Sequence, residues 1–312
     1  MRILVAGGAG FIGSHLCEKL IQQGHFVVCL DSLVTGSKYN IEHLFDNNNF
    51  TFIEHNIVNT INVDDIDQVY NLACPASPKQ YQRDPISTID TNVIGTKNLL
   101  ELAKRNRARF LLASTSEVYG NPQQHPQRED YFGNVNTFGP RACYDEGKRC
   151  AETLSYEYSR IYGVETRIAR IFNTYGPKMQ ADDGRVVSNF IVGALAKHEI
   201  CIYGDGSQTR CFCYIDDMVE GLVLLMNSDC KTPVNLGSDH EVTVNELANC
   251  VNVILQQEIN TVWLPIPQDD PMKRKPDLSK ARCELNWNIV TPLEVGLEKT
   301  AAYFQGKLTS HD

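Results

Sequence analysis

Tyr144 and Lys148 stand four residues apart in Cys143-Tyr144-Asp145-Glu146-Gly147-Lys148-Arg149, at the start of a long amphipathic segment. On a helix that spacing puts both side chains on one face, with about 6 Å of rise between them. A free tyrosine titrates near ~10 and is a poor base at neutral pH. A lysine cation beside it favours the phenolate, and so does a hydrogen bond from a hydroxyl such as Thr115. A tyrosine tuned in this way can take a proton from an alcohol. Thr115 belongs to Ser114-Thr115-Ser116-Glu117, which closes the apolar run Arg109-Phe110-Leu111-Leu112-Ala113. Tyr-x-x-x-Lys also occurs on helices that do no chemistry, so the electron acceptor must come from elsewhere in the chain.

The first thirty-one residues provide for one. Arg2-Ile3-Leu4-Val5-Ala6 has the pattern of a buried strand and runs directly into Gly7-Gly8-Ala9-Gly10-Phe11-Ile12-Gly13. Ile12, Leu16, Leu20 and Ile21 then recur at helical spacing, and a second strand, Phe26 to Leu30, ends at Asp31. Strand, glycine turn, helix, strand and acid in this order form a dinucleotide-binding unit. Gly7 allows the tight turn, Gly10 lets the backbone approach a pyrophosphate, and Gly13 lets the helix pack on the strand. The helix N-terminus then faces the phosphates. Asp31 is placed to accept hydrogen bonds from the adenosine ribose, where it would repel a 2′-phosphate, and no arginine closely follows it. The cofactor expected is NAD and not NADP.

The elements that must position these groups alternate. Strand-like runs recur at Thr51–Ile53, Val69–Ala73, Phe110–Ala113 and Thr166–Ile171, with helical stretches at Thr91–Lys104 and Asp145–Ile161. The fold class expected is α/β, a doubly wound parallel Rossmann sheet. Ligands in such sheets sit at the carboxyl ends of strands. Ala73-Cys74-Pro75, Ser114–Glu117 and Asn173–Pro177 all fall there. Beyond Pro177 a helix is expected over Val186–Ala196, a short strand at Cys201–Tyr203, and a capping box at Thr243–Glu246 before Leu247–Leu255. Prolines cluster at Pro265, Pro267, Pro271 and Pro276, and the polar tail after about Gln305 is expected to fray.

Composition excludes several functions. The chain has 312 residues, 42% hydrophobic and 21% charged, with a formal charge of −9. It is large enough for two joined domains, and its acidity argues against general nucleic-acid binding. An anionic substrate would need a local cluster of arginines. No apolar run reaches the ~20 residues of a membrane span, and the short run near Met1 is not a signal peptide. The 11 cysteines show no Cys-x-x-Cys pairing, and Cys211-x-Cys213 would put two thiols on one side of a strand. They are expected to be reduced thiols of a cytoplasmic protein. His125 and His240 have no partners at ligand spacing, so no metal is assigned.

Longer segments carry a resemblance. They are Leu72-Ala73-Cys74-Pro75-Ala76-Ser77-Pro78, Ser114 to Gly120, Cys143 to Arg149, Arg170 to Pro177 and Asp183 to Phe190. In these the chain resembles the extended short-chain dehydrogenase/reductases that act on nucleotide sugars, and within them the UDP-glucuronate decarboxylases. The resemblance implies NAD-binding over residues 1–173, with a return segment near 211–238, and a smaller α/β substrate domain over 174–312. It implies cofactor contacts from Gly7, Gly10, Phe11, Ile12, Gly13, Asp31, Asn56, Ile57, Leu72, Ala73, Tyr144 and Lys148. Asn56 stands where relatives often carry an aspartate, and an amide can still bond the adenine. Substrate contacts are implied for Pro75, Tyr81, Asn173, Arg185, Asn189, Tyr203, Arg210 and Arg274.

The catalytic set implied is Tyr144, Lys148, Thr115, Ser116, Glu117 and Arg274. Tyr144 would deprotonate the sugar's 4-hydroxyl, with Lys148 lowering its pKa and Thr115 bonding the same oxygen. Oxidation there makes the acid a β-keto acid, which can lose carbon dioxide, and the hydride taken from carbon 4 is then returned to give UDP-xylose. Sugar dehydratases carry an aspartic acid at the position of Ser116 to protonate a departing hydroxyl. Decarboxylation expels no hydroxyl, so a serine suffices. Glu117 could instead cap a turn, and Arg210 and Arg274 could be solvated charges. The alternatives are a decarboxylase that releases the 4-keto pentose, an epimerase or dehydratase, or a non-catalytic NAD-binding scaffold. A homodimer is also implied, through Thr91–Lys104 and Asp145–Ile161. Leu99, Leu102, Tyr156 and Tyr158 lie either on that dimer face or in the chain's own core.

Overall fold

Alternation along the strands lays out the centre of the molecule. In β1 (Arg2–Ala6), Ile3 and Val5 point into one buried cluster while Leu4 and Ala6 point into another. β2 (Phe26–Asp31) repeats this, with Val27 and Cys29 on the first side and Val28 and Leu30 on the second. A strand buried on both faces belongs to a sheet covered by helices on both sides, hence the near-continuous apolar runs. The computed structural model describes residues 1–182, 184–197, 199–256, 259–265 and 273–309. Asp183, Pro267, Pro271 and the last three residues of the tail lie outside them.

β3 (Phe50–Glu54), β4 (Gln68–Asn71), β5 (Arg109–Thr115) and β6 (Thr166–Ile171) follow in sequence. α1 (Phe11–Gln22) joins β1 to β2 on the first face. After β4 come the short α2 (Pro78–Tyr81), then α3 (Pro85–Asp90) and α4 (Thr96–Asn106), and α5 (Ala142–Tyr162) links β5 to β6. The expected helix over Thr91–Lys104 opens as a π turn at Thr91–Gly95 and continues as α4, with α3 leading directly into it. Leu99, Leu102 and Tyr158 are buried in the core of the second face, whereas Tyr156 is exposed. Three of the four candidate dimer side chains therefore pack inward.

In the second half, β7 (Thr174–Tyr175), α6 (Val186–Lys197), β8 (Glu199–Tyr203), β9 (Thr209–Cys211) and β10 (Cys213–Tyr214) come first. α7 (Ile215–Asn227) and β11 (Val234–Leu236) return to the large sheet. β12 (Glu241–Thr243), α8 (Val244–Leu255), β13 (Asn260–Leu264), β14 (Lys273–Arg274), α9 (Ser279–Leu285) and α10 (Leu293–Thr309) complete the chain. The large sheet has seven parallel strands in the order β11-β6-β5-β4-β1-β2-β3. The strand order reverses between β1 and β4, which opens a crevice at the carboxyl ends.

The capping box forms as expected, with Thr243 Oγ1 accepting from Glu246 N at 3.0 Å and Glu246 Oε2 accepting from Thr243 N at 2.7 Å. Two expectations are corrected. Cys211 and Cys213 do not share a strand, because β9 pairs with β12 and β14 while β10 pairs with β7, so the chain changes sheets at Phe212. The segment after Gln305 stays helical to Thr309, as Leu297, Ala301 and Phe304 tie α10 to the core. Its polar residues are the helix's outer face.

Candidate active site

The glycine turn shapes one end of the crevice. Gly7 has φ +79°, and a Cβ there would lie 2.7 Å from the carbonyl carbon of Leu72. A Cβ at Gly13 would stand 2.0 Å from the Gly7 carbonyl oxygen. Only bare backbone permits β1, the turn and α1 to approach this closely, which leaves N–H groups at a helix N-terminus facing the crevice. Asp31 is buried at its rim, Oδ2 accepting from Ala9 N at 3.0 Å and Oδ1 from Leu33 N at 2.8 Å. Burial pushes its carboxyl up, and these two bonds oppose that. Each oxygen keeps a second lone pair for a ribose hydroxyl. The cradle and the acid fit a dinucleotide.

Deeper in, β5 and α5 bring the two halves of the chemical constellation together. Gly147 lets α5 press on the π turn, where its Cβ would sit 3.0 Å from Asn92 Cβ. Glu152, one turn after Lys148, accepts from Ser114 Oγ at 2.6 Å and takes a bidentate pair from Arg170 at 2.8 and 3.0 Å. That clamp joins the ends of β5 and β6 to α5. Lys148 Nζ donates to Ala113 O at 2.8 Å and lies 5.9 Å from the centre of the Tyr144 ring. The Thr115 hydroxyl is hydrogen-bonded to the Tyr144 phenol.

Burial holds the Tyr144 phenol protonated, well above its usual value; the Cys74 thiol adds to this and the Thr115 bond opposes it. Burial also lowers Lys148. The expectation that Lys148 pulls the tyrosine down is therefore corrected for the free chain: desolvation outweighs every charge around the ring. Tyr81 is corrected as well. It does not line the crevice but stacks on Tyr144, ring centres 4.9 Å apart and planes 5° from parallel, with its hydroxyl buried and unpartnered.

Glu117 does not cap the turn with its side chain; Thr115 does, accepting from Glu117 N at 3.2 Å. Glu117 instead sits between two arginines. Oε2 is 2.9 Å from Arg141 Nη2, and Arg274 closes a bidentate pair at 2.9 and 3.0 Å. Burial raises this carboxyl, but Arg274 and Arg141 together hold it below its ordinary value.

The crevice encloses about 730 Å³. Along it lie Gly7, Gly10, Phe11, Ile12, Gly13, Asp31, Asn56, Ile57, Leu72 and Ala73 on the nucleotide side. Thr115, Ser116, Glu117, Tyr144 and Lys148 lie at its centre. Pro75, Asn173, Arg185, Asn189, Tyr203, Arg210 and Arg274 line the remainder. In a chain of charge −9, four arginines, Arg141, Arg185, Arg210 and Arg274, line this one crevice. Sequence reasoning missed Arg141. Its only signal was position, three residues before Tyr144 at the start of α5.

The family model described as GDP-mannose 4,6 dehydratase matches residues 4–300. UDP-glucuronic acid decarboxylase 1 of Danio rerio is 54% identical over 307 residues, covering 98% of this chain and 73% of that protein. Its namesake in Arabidopsis thaliana is 54% identical over 312 residues, covering 100% of this chain and 72% of that one. The chain belongs to the UDP-glucuronic acid decarboxylase family. Within the extended short-chain dehydrogenase/reductases, the decarboxylase fold also matches solved epimerases. The UDP-glucuronic acid 4-epimerase of Bacillus cereus, solved with UDP-glucuronic acid and NAD, has a TM-score of 0.88 at 29% identity, covering 98% of this chain and 100% of that one. The UDP-glucose 4-epimerase of Thermotoga maritima, solved with UDP-glucose, has a TM-score of 0.90 at 31% identity, covering 99% and 100%.

Proposed function

We propose that this chain converts UDP-glucuronate to UDP-xylose and carbon dioxide through a 4-keto intermediate, with NAD regenerated in the same site. The observation that carries this reading is the meeting of Thr115, Ser116, Tyr144 and Lys148 in one arginine-lined crevice, in a chain half identical to decarboxylases. Tyr144 takes the proton of the 4-hydroxyl, and Thr115 holds the same oxygen. When carbon dioxide leaves, these two hydroxyls face the enolate oxygen and stabilise its charge. Lys148, fixed on the Ala113 carbonyl, orients the ribose next to Tyr144. Arg185, Arg210, Asn173 and Asn189 hold the diphosphate and its neighbouring groups. Arg274, fixed by Glu117, faces the sugar's carboxylate end. Ser116 offers no strong acid, which disfavours expulsion of a hydroxyl.

NAD, held by the glycine cradle and Asp31, supplies the oxidant for carbon 4 and a positive charge in the crevice when bound. Gly13→Ala is expected to weaken NAD binding by at least about tenfold, since its methyl must displace the Gly7 carbonyl from the phosphate cradle. Titration calorimetry with NAD checks this, and binding unchanged by the methyl would remove the cradle from the account.

A homodimer is part of the same reading. Ile86, Ile89, Ile94 and Tyr156 are exposed apolar side chains on α3, the π turn and α5, and a second copy would cover them. Sedimentation equilibrium should give twice the chain mass. Among the described residues no helix is long and apolar enough to cross a membrane. The cysteines are all unpaired thiols, which suits the reducing cytoplasm.

Proton NMR of the purified protein with UDP-glucuronate tests the reaction. UDP-xylose without net NADH supports it. A 4-keto pentose with stoichiometric NADH keeps only the first half, and UDP-galacturonate would make the protein an epimerase.

A further inference from the structure

Beside the crevice lies a second chamber of about 390 Å³, lined by Glu117, Gly120, Asn121, Asn134, Val135, Asn136, Arg141 and Asp145. Its floor is charged and buried, formed by Glu117, Arg141 and Asp145, while Asn121, Asn134 and Asn136 at its mouth are exposed. Glu117 and Arg141 also line the main crevice, so the two spaces share one wall. Asp145 immediately follows Tyr144 and is 6% exposed, and its Oδ1 is buried with no hydrogen-bond partner. A buried carboxylate oxygen with no partner is costly unless the group carries a proton or meets water.

The chemistry of the proposed reaction, on which this inference rests, has a matching need. Loss of carbon dioxide from a carboxylate leaves an electron pair on carbon 5, and that pair must form a C–H bond. The net change, carboxylate plus proton to carbon dioxide plus C–H, consumes one proton from solvent. The proton taken from the 4-hydroxyl cannot serve, because it is needed again when carbon 4 is restored.

We propose that Asp145 and this chamber form the route by which a solvent proton reaches carbon 5. The Asp145 O–H bond breaks toward water at the shared wall, that water's proton forms the new C5–H bond, and Asp145 is recharged from solvent past the asparagine rim. Burial first, and then Glu117, push the Asp145 carboxyl up to about 8, so it carries a proton at neutral pH. Arg141 and Arg274 oppose this rise, and Glu146 adds to it. Glu117 is held ionised by its arginines and relays no proton. Asp145 acts through water, and it is a positioning and supply residue, not one that touches the sugar.

Asp145→Asn tests this in the full chain with NAD and UDP-glucuronate. In single turnovers, carbon dioxide release is expected within about twofold of wild type, while UDP-xylose formation slows at least about tenfold. The wild-type rate of UDP-xylose formation should fall above pH about 8, and that limb should vanish in the variant. Asp145→Glu, which keeps the acid beside open space, should restore the rate. The amide matches the protonated acid in size and in its lack of charge, so the unfolding temperature should not drop. Carbon dioxide and UDP-xylose slowing together, both staying at wild-type rates, or Glu behaving like Asn would each overturn the proposal. A wild-type protein that releases no carbon dioxide would remove the functional reading and this inference with it.

Discussion

Tyr144→Phe binds the UDP-sugar and loses about 10²- to 10⁴-fold in kcat, the range by which a positioned acid–base group accelerates proton transfer. The substitution removes one oxygen and little else. The ring keeps its parallel stack on Tyr81 and its place among Cys143 and Cys74. Thr115, freed of the phenol, still accepts from Glu117 N through its hydroxyl oxygen. Because burial makes the phenol costly to ionise, its loss should not lower the unfolding temperature. Steady-state kinetics and calorimetry separate the two effects. A raised KM with kcat retained would show that Tyr144 only binds the sugar.

Arg274→Met acts on both stability and turnover. Arg274 and Glu117 are each 9% exposed, and their contact is bidentate. Removing one partner of such a buried pair typically costs about 3–5 kcal/mol, because the remaining charge stays buried. Arg141 still touches Glu117, which places the expected loss at the lower end of that range. Adding Glu117→Gln should not recover it, because Arg141 then loses this carboxylate while staying buried. Glu117 sits below its ordinary value in the folded chain, so the unfolded chain binds its proton more readily. Its stabilising contribution is present above the unfolded value near ~4.3 and is lost as pH falls through the folded one. Thermal unfolding from neutral pH to below pH ~4 should therefore show a shallower acid-side loss in Arg274→Met than in wild type. Equal slopes would mean that Arg141 alone holds the carboxylate.

The amino-acid sequence by itself determined the sheet and the two motifs. Continuous apolar runs such as Ile3–Ala6 can only be buried on both faces, and Gly7, Gly10 and Gly13 are spaced for a turn that no side chain could enter. Tyr144 and Lys148 share a helix face by periodicity, and Thr115 ends a strand whose carboxyl end must face the crevice. All of these are local signals, carried by residues close together in the chain.

What lies far apart in sequence only the tertiary structure decided. Arg274 is 157 residues from Glu117, and nothing in its neighbours marks it as that carboxylate's partner. Tyr81 comes to stack behind Tyr144 because α2 packs against α5, a matter of two surfaces meeting. Cys211 and Cys213 separate because their strands find different partners across the molecule. The protonation of Tyr144 and Asp145 was equally hidden, since burial sets it and burial is a property of the whole fold. Spacing tells which groups can meet on one element. Desolvation and long-range pairing tell what charge they carry when they do.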